Sequence, residues 1–137
     1  MRDIAKKHIK YQQGFTLFEL LAVMMILSIL TAIAIPSYKR SQIKASESVL
    51  AEDLYQMRRS IDAFYTDQQR YPNYLEELRE QKYLRDIPQD PFTRSNQSWI
   101  CLAPLPSDNG QMPPGNCFDV KSGSDLVGLD GTPYRDW

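Results

Sequence analysis

The sequence has 137 residues, with 16 Lys and Arg against 17 Asp and Glu, a formal net charge of −1 at pH 7. This length allows one compact domain plus one membrane segment, and the charge disfavours bulk nucleic-acid binding, which needs a basic surface. The only histidine is His8, and the sequence has no Walker A, GxSxG, HExxH or EF-hand pattern. A membrane-tethered enzyme or ligand-binding domain is therefore the disfavoured alternative to a structural protein.

The first 14 residues form a basic leader with four Lys or Arg and one Asp. The leader ends in Gly14, and the apolar segment begins directly after it. In an ordinary secretory signal the apolar core comes before the small-residue cleavage site. Cleavage after Gly14 would therefore leave the apolar segment on the protein. The remaining 123 residues would carry 12 basic and 16 acidic side chains and no histidine.

The apolar segment runs over residues 15–35 and is interrupted by only four polar residues, Thr16, Glu19, Ser28 and Thr31. A helix of this length spans about 30 Å, the thickness of the hydrocarbon core of a bilayer. Glu19 is the only charged side chain in it. A lone carboxylate at that depth costs about 2.5–3.5 kcal/mol or more, so it needs a partner. The natural partner is the α-amine that cleavage would create at Phe15, supplied by a neighbouring copy of the chain.

The stretch GFTLFELLAVMMILSILTAIAIP resembles the N-terminus of type IV pilins and type II secretion pseudopilins. Gly14, Phe15, Glu19 and Pro36 fall where that family has them. The resemblance implies cleavage of Gly14–Phe15 by a membrane prepilin peptidase, N-methylation of Phe15 and a role for Glu19 in filament assembly. It also implies an inner-membrane anchor over residues 15–36, a cytoplasmic N-terminus and a periplasmic domain over residues 37–137.

A single long helix is predicted from Phe15 to about Thr66, kinked near Pro36 because proline removes a helical hydrogen bond. Beyond the proline, apolar residues recur at helical spacing and predict a face that packs on a sheet. This stripe comprises Ile43, Leu50, Leu54, Met57, Ile61 and Phe64. The predicted fold class is α+β and type IV pilin-like, with the long helix packed on a small antiparallel sheet.

The remaining elements are short. A helix stop is predicted at residues 70–73, because the residue before a proline disfavours the helical conformation. Ser122–Trp137 is expected to be irregular, with a turn at Asp130-Gly131. A short helix is predicted over Tyr74–Tyr83, a proline-rich segment without helix or central strand over Ile87–Phe92, and strands over Ser98–Ala103 and Cys117–Lys121.

The order of these segments resembles the major pseudopilin of type II secretion. The matching pieces are Arg70-Tyr71-Pro72, the run from Tyr83-Leu84 to Pro88-Gln89-Asp90-Pro91-Phe92, and Gly128-Leu129-Asp130-Gly131 followed by Trp137. The resemblance implies a self-assembling filament whose partners are the prepilin peptidase and methyltransferase, an inner-membrane assembly platform and minor pseudopilins. The alternative is a pilin of a surface type IV pilus or DNA-uptake filament.

Two features depart from the major pseudopilins. The cysteine pair, Cys101 and Cys117, is commoner in pilins; in an oxidising periplasm a disulfide is expected, and the alternative is two buried free thiols. The C-terminal loop of major pseudopilins usually carries consecutive acidic residues that bind calcium, which this sequence lacks. Calcium therefore stays open, with Asp125 and Asp130 as candidate ligands and turn-forming aspartates as the alternative.

Overall fold

The computed structural model describes residues 14–106 and 110–137. The leader predicted over residues 1–14 therefore lies outside the described residues, except for Gly14. In chain order the elements are helix α1 (Leu17–Gln68), helix α2 (Leu75–Glu80), strand β1 (Ile100–Leu102), strand β2 (Asp119–Lys121) and a 3-10 helix (Tyr134–Asp136). This long N-terminal helix with a small antiparallel sheet confirms the predicted α+β, pilin-like fold class.

The chain divides into two compact units, Met1–Lys39 and Arg40–Trp137. In the first, α1 begins at Leu17 and its large apolar side chains are exposed. The helix assignment continues through Pro36, whose missing N–H removes the donor for the carbonyl of Ala32. The continuous helix is as predicted, and the kink at Pro36 stays a prediction.

In the second unit, the apolar stripe of α1 forms the centre of the core. Five of its six predicted members are buried, with at most 2% of their surface exposed: Leu50, Leu54, Met57, Ile61 and Phe64. Ile43 was predicted to belong to the stripe, and this is wrong because 39% of its surface is exposed. The buried part of the stripe therefore begins at Leu50.

The cover over this stripe comes more from α2 and loops than from the sheet. β1 and β2 pair antiparallel, with Cys101 opposite Val120, and Val120 is the fully buried residue of the pair. The rest of the cover consists of Leu75, Leu78, Ile87, Trp99, Cys117 and Tyr134. The first predicted strand, Ser98–Ala103, was longer than β1 at both ends, and the second, Cys117–Lys121, began two residues before β2. Trp99 instead turns its indole N–H to the carbonyl of Pro88, at 2.8 Å.

A backbone crossing ties the end of α1 to the second half of the chain. After α1 ends, the carbonyl of Pro72 accepts the amide of Cys117 at 2.9 Å, and the amide of Tyr71 donates to the carbonyl of Pro114 at 2.8 Å. Gly115 lies here with φ of 107°, and a Cβ at this position would lie 2.1 Å from the carbonyl oxygen of Tyr71. Only glycine fits so close an approach.

The Cys101–Cys117 disulfide lies beside this crossing. Cys117 is fully buried and Cys101 is half-buried, next to the core. The bond closes a loop that contains most of the segment between the two strands. It therefore adds a covalent link where the sheet of two three-residue strands provides few hydrogen bonds of its own.

Replacing both cysteines, as Cys101→Ser with Cys117→Ser, should lower the free energy of unfolding by about 3 kcal/mol, because the unfolded chain regains the entropy of an open loop. Membrane insertion should not change. Chemical denaturation of the purified protein measures the loss, and non-reducing peptide mapping identifies the linked pair. Free reaction of both thiols with a thiol reagent in the folded wild-type protein would contradict the disulfide.

Candidate processing and assembly site

The start of α1 leaves the predicted cleavage site outside the helix. The first helical residue is Leu17, and the hydroxyl of Thr16 accepts the backbone amide of Glu19 at 3.2 Å. This is the hydrogen bond of an N-cap residue, and it satisfies one of the amides that a helix end leaves without an internal partner. Gly14 and Phe15 therefore precede the cap, in backbone that is not helical.

Thr16 was not singled out from the sequence as a functional residue. The signal was present, because Thr16 and Glu19 have the threonine-x-x-glutamate spacing of a capping box. The cap fixes where the helix begins relative to the bond between Gly14 and Phe15. It thus connects the cleavage motif to the local structure of the helix end.

Gly14 is not required by the fold of the described chain. A Cβ at this position would have nothing within 4 Å, and no positive φ is found there. A requirement for glycine at the predicted cleavage site would therefore have to come from outside the described fold. The sequence pattern alone could not separate these two reasons for glycine.

The structure brings the predicted N-terminal site residues together. Gly14, Phe15, Thr16 and Glu19 line one open recess at the start of α1. Glu19 lies in the first turn, where the partial positive charge of the helix end favours a carboxylate. Phe15 is 81% exposed. It belongs to the contiguous exposed apolar surface of residues 15–35, and a surface of this kind is typical of a protein–protein or membrane contact.

The rest of the apolar segment satisfies its polar groups internally. The hydroxyl of Ser28 donates to the carbonyl of Met24 at 2.7 Å, and that of Thr31 donates to the carbonyl of Leu27 at 2.6 Å. By length and hydropathy α1 can cross a membrane near its N-terminal end. Between residues 17 and 35, Glu19 is the one ionisable side chain.

The two predicted calcium ligands each have a separate protein partner. Asp125 forms an ion pair with Arg135, and Asp130 accepts the backbone amide of Thr132 at 2.8 Å. Within residues 14–106 and 110–137, no group of three or more His, Cys, Asp or Glu side chains is placed to hold a metal ion. The structure does not bring Asp125 and Asp130 into a common metal centre.

A polar contact of α1 was missed from the sequence. A carboxylate oxygen of Glu47 accepts the amide of Leu129 at 2.7 Å and the hydroxyl of Tyr134 at 3.0 Å. Burial, with the neighbouring carboxylate of Glu47, raises the pKa of Tyr134 to about 12. The phenol therefore stays protonated and donates to Glu47 at physiological pH. The signal was the gap of seven residues between Ile43 and Leu50, which Glu47 occupies on the same helical face.

The fold and the N-terminal segment together define a protein built around one long helix, whose apolar N-terminal part is long enough to cross a membrane. A sequence profile described as "Prokaryotic N-terminal methylation motif" matches residues 9–35. No solved structure matches significantly.

Three curated relatives show what the chain is similar to. Type II secretion system core protein G of Klebsiella pneumoniae is 29% identical, over 89% of this chain and 88% of that protein. Competence protein ComGC of Halalkalibacterium halodurans is 32% identical, over 58% of this chain and 78% of that protein. Type IV major pilin protein PilA of Myxococcus xanthus is 33% identical, over 48% of this chain and 30% of that protein. The chain belongs to the family of type IV pilins and type II secretion pseudopilins.

Proposed function

We propose that this protein is a structural subunit of the periplasmic pseudopilus of a type II secretion system. The observation that carries the proposal is Glu19, a carboxylate in the first turn of an exposed apolar helix that can cross a membrane. The similarity to type II secretion system core protein G over nearly the whole chain supports the choice of secretion system. The protein would act by assembling, not by catalysing a reaction.

The proposed path of the subunit begins in the inner membrane. Residues 1–14 stay on the cytoplasmic side as the leader, residues 15–36 cross the membrane and residues 37–137 form the periplasmic domain. A prepilin peptidase cuts between Gly14 and Phe15, and the new amine of Phe15 is methylated. Methylation leaves that amine cationic, so it remains able to pair with a carboxylate.

Assembly then transfers the apolar helix from lipid to the core of a filament. Repeated head-to-tail contacts between copies do not close on themselves, and they therefore generate a fibre. The amine of Phe15 in one copy pairs with the Glu19 carboxylate of a neighbouring copy. Within one chain the two groups are only four residues apart, which is too close for a good ion pair. The partners expected for this path are an inner-membrane assembly platform and minor pseudopilins. Before assembly, the apolar helix lies in membrane lipid.

A second candidate is a pilin of a surface type IV pilus or DNA-uptake filament. The disulfide Cys101–Cys117 favours it, as does the similarity to the competence protein and the major pilin. Both candidates share cleavage, methylation and filament assembly. They differ in cargo, so loss of protein secretion or loss of surface filaments in a deletion strain separates them.

One prediction of the proposed function concerns processing. Mass spectrometry of assembled protein should show a chain that starts at Phe15 and carries one added methyl group. Gly14→Leu should leave only uncleaved protein in the membrane, although the fold has space for the side chain. Phe15→Leu, which keeps an apolar residue after the cleavage site, is the control and should still be cleaved. Assembled filaments that retain residues 1–14 would contradict the proposal.

The second prediction concerns Glu19. Glu19→Ala should be expressed, cleaved and inserted, because removing a charge eases insertion into lipid. Filament assembly should fail, since the amine of Phe15 would be buried without a partner at a cost of about 3–5 kcal/mol. The loss is measured as the yield of filaments recovered by shearing or cross-linking, together with the amount of cargo that is secreted.

Ser28→Ala is the matched control for Glu19→Ala. It also removes a polar group from the apolar segment, but the hydroxyl of Ser28 bonds within its own helix. Assembly of this variant should stay near the wild-type level. Normal filaments and secretion with Glu19→Ala would remove the physical basis of the proposed function.

A further inference from the structure

Residues 124–137, the 124–137 loop, fold back against α1 in the second unit. The amide of Gly128 donates to the carbonyl of Thr132 at 2.9 Å, and the amide of Gly131 donates to the carbonyl of Gly128 at 3.0 Å. Val127 and Pro133 form an isolated bridge across the loop. These contacts close the loop within itself. A further contact with α1 is needed to fix its position on the helix.

Glu47 supplies one such contact from α1. One carboxylate oxygen accepts both the amide of Leu129 and the hydroxyl of Tyr134. A Cβ on Gly128 would lie 3.1 Å from the same oxygen, so the glycine lets the loop backbone reach the carboxylate. Tyr134 is 1% exposed and stacks on Phe92 at 3.9 Å between ring centroids. The carboxylate therefore holds a loop residue that is also part of the core.

Arg58 supplies the other contact, three turns further along α1. Its guanidinium donates to the carboxylate of Asp119 at 2.7 Å, to the carbonyl of Val120 at 3.0 Å and to the backbone oxygen of Trp137 at 2.8 Å. It thus joins strand β2 to the far end of the loop. A planar guanidinium with several fixed donors suits such a junction better than an ammonium group.

The carboxylates and carbonyls that a calcium ion would need as ligands in this loop already have protein partners. Calcium takes about six to eight oxygen ligands, mostly carboxylates and carbonyls. Asp125 is paired with Arg135, Asp119 with Arg58, and Asp130 with the amide of Thr132. The carbonyls of Leu126, Gly128 and Thr132 also accept backbone amides. The donor set of the described residues does not fit a calcium ion.

We propose that Glu47 and Arg58 hold the 124–137 loop against α1, and so serve the role that the resemblance to major pseudopilins assigns to a bound calcium ion. The loop of this protein then folds without calcium. The proposal does not depend on which filament the protein builds. It also replaces the expectation that Asp125 and Asp130 bind the metal.

The test is thermal unfolding of the purified full-length protein in detergent. With about 10 mM calcium chloride, which exceeds the dissociation constants of weak extracellular calcium sites, the melting temperature should equal that in excess EGTA within about 1 °C. Magnesium chloride at the same concentration controls for ionic strength. A rise in melting temperature with calcium that magnesium does not reproduce would overturn the proposal.

The role of Glu47 is tested by Glu47→Ala against Glu52→Ala. Both remove a carboxylate from α1, but Glu52 is exposed and bonds to Gln56 one turn away. Glu47→Ala should lower the melting temperature by about 5–15 °C with or without calcium, and Glu52→Ala by no more than about 2 °C. Equal effects of the two substitutions would overturn the proposal.

Hydrogen exchange of the wild-type protein gives a readout that needs no variant. The amide of Leu129 should exchange slowly, and at the same rate in calcium and in EGTA, because Glu47 protects it. Glu47→Gln, which keeps an acceptor oxygen, should raise that rate less than Glu47→Ala. Protection of Leu129 that appears only with calcium would show that the metal, and not Glu47, closes the loop.

Discussion

Glu19 is the only charged side chain of α1 between its first residue and Pro36. The other polar groups of this segment, Ser28 and Thr31, bond to their own helix and need nothing from outside. A carboxylate in lipid cannot be satisfied by its own helix, because it stays ionised only next to water or a cation. The proposed cation is an amine that exists only after cleavage. The proposed function thereby links processing, membrane residence and assembly through one side chain.

The second half of α1 forms the centre of the core of the second unit. Its apolar stripe is covered by α2, by loops and by two strand residues, Val120 and the half-buried Cys101, and not by a broad sheet. The two three-residue strands supply few backbone hydrogen bonds to this cover. The Cys101–Cys117 bond, the crossing at Gly115 and the two polar anchors on α1, Glu47 and Arg58, provide the links that a larger sheet would otherwise supply.

Hydrophobic periodicity predicted the long helix to within two residues at each end, together with five of the six core positions on its second half. It failed at Ile43, because spacing cannot tell how far along a helix the cover extends. The strands were predicted too long, since Trp99 and Cys117 have strand-like composition but bond to Pro88 and Pro72 instead. The N-terminal motif predicted Gly14, Phe15 and Glu19 as site residues, and their roles stay predictions, whereas the sequence pattern placed Glu47 and Arg58 among the surface charges of α1. Their partners lie more than 60 residues away, and local patterns carry no information about such contacts.

The most direct test of the central claim is the structure of the assembled filament at a resolution that shows side chains. The account predicts that the methylated amine of Phe15 lies within about 4 Å of the Glu19 carboxylate of a neighbouring subunit, the distance of an ion pair. It also predicts that this pair is shielded from water by the apolar helices. A filament in which Glu19 faces solvent, or pairs with the amine of its own chain only, would contradict the account.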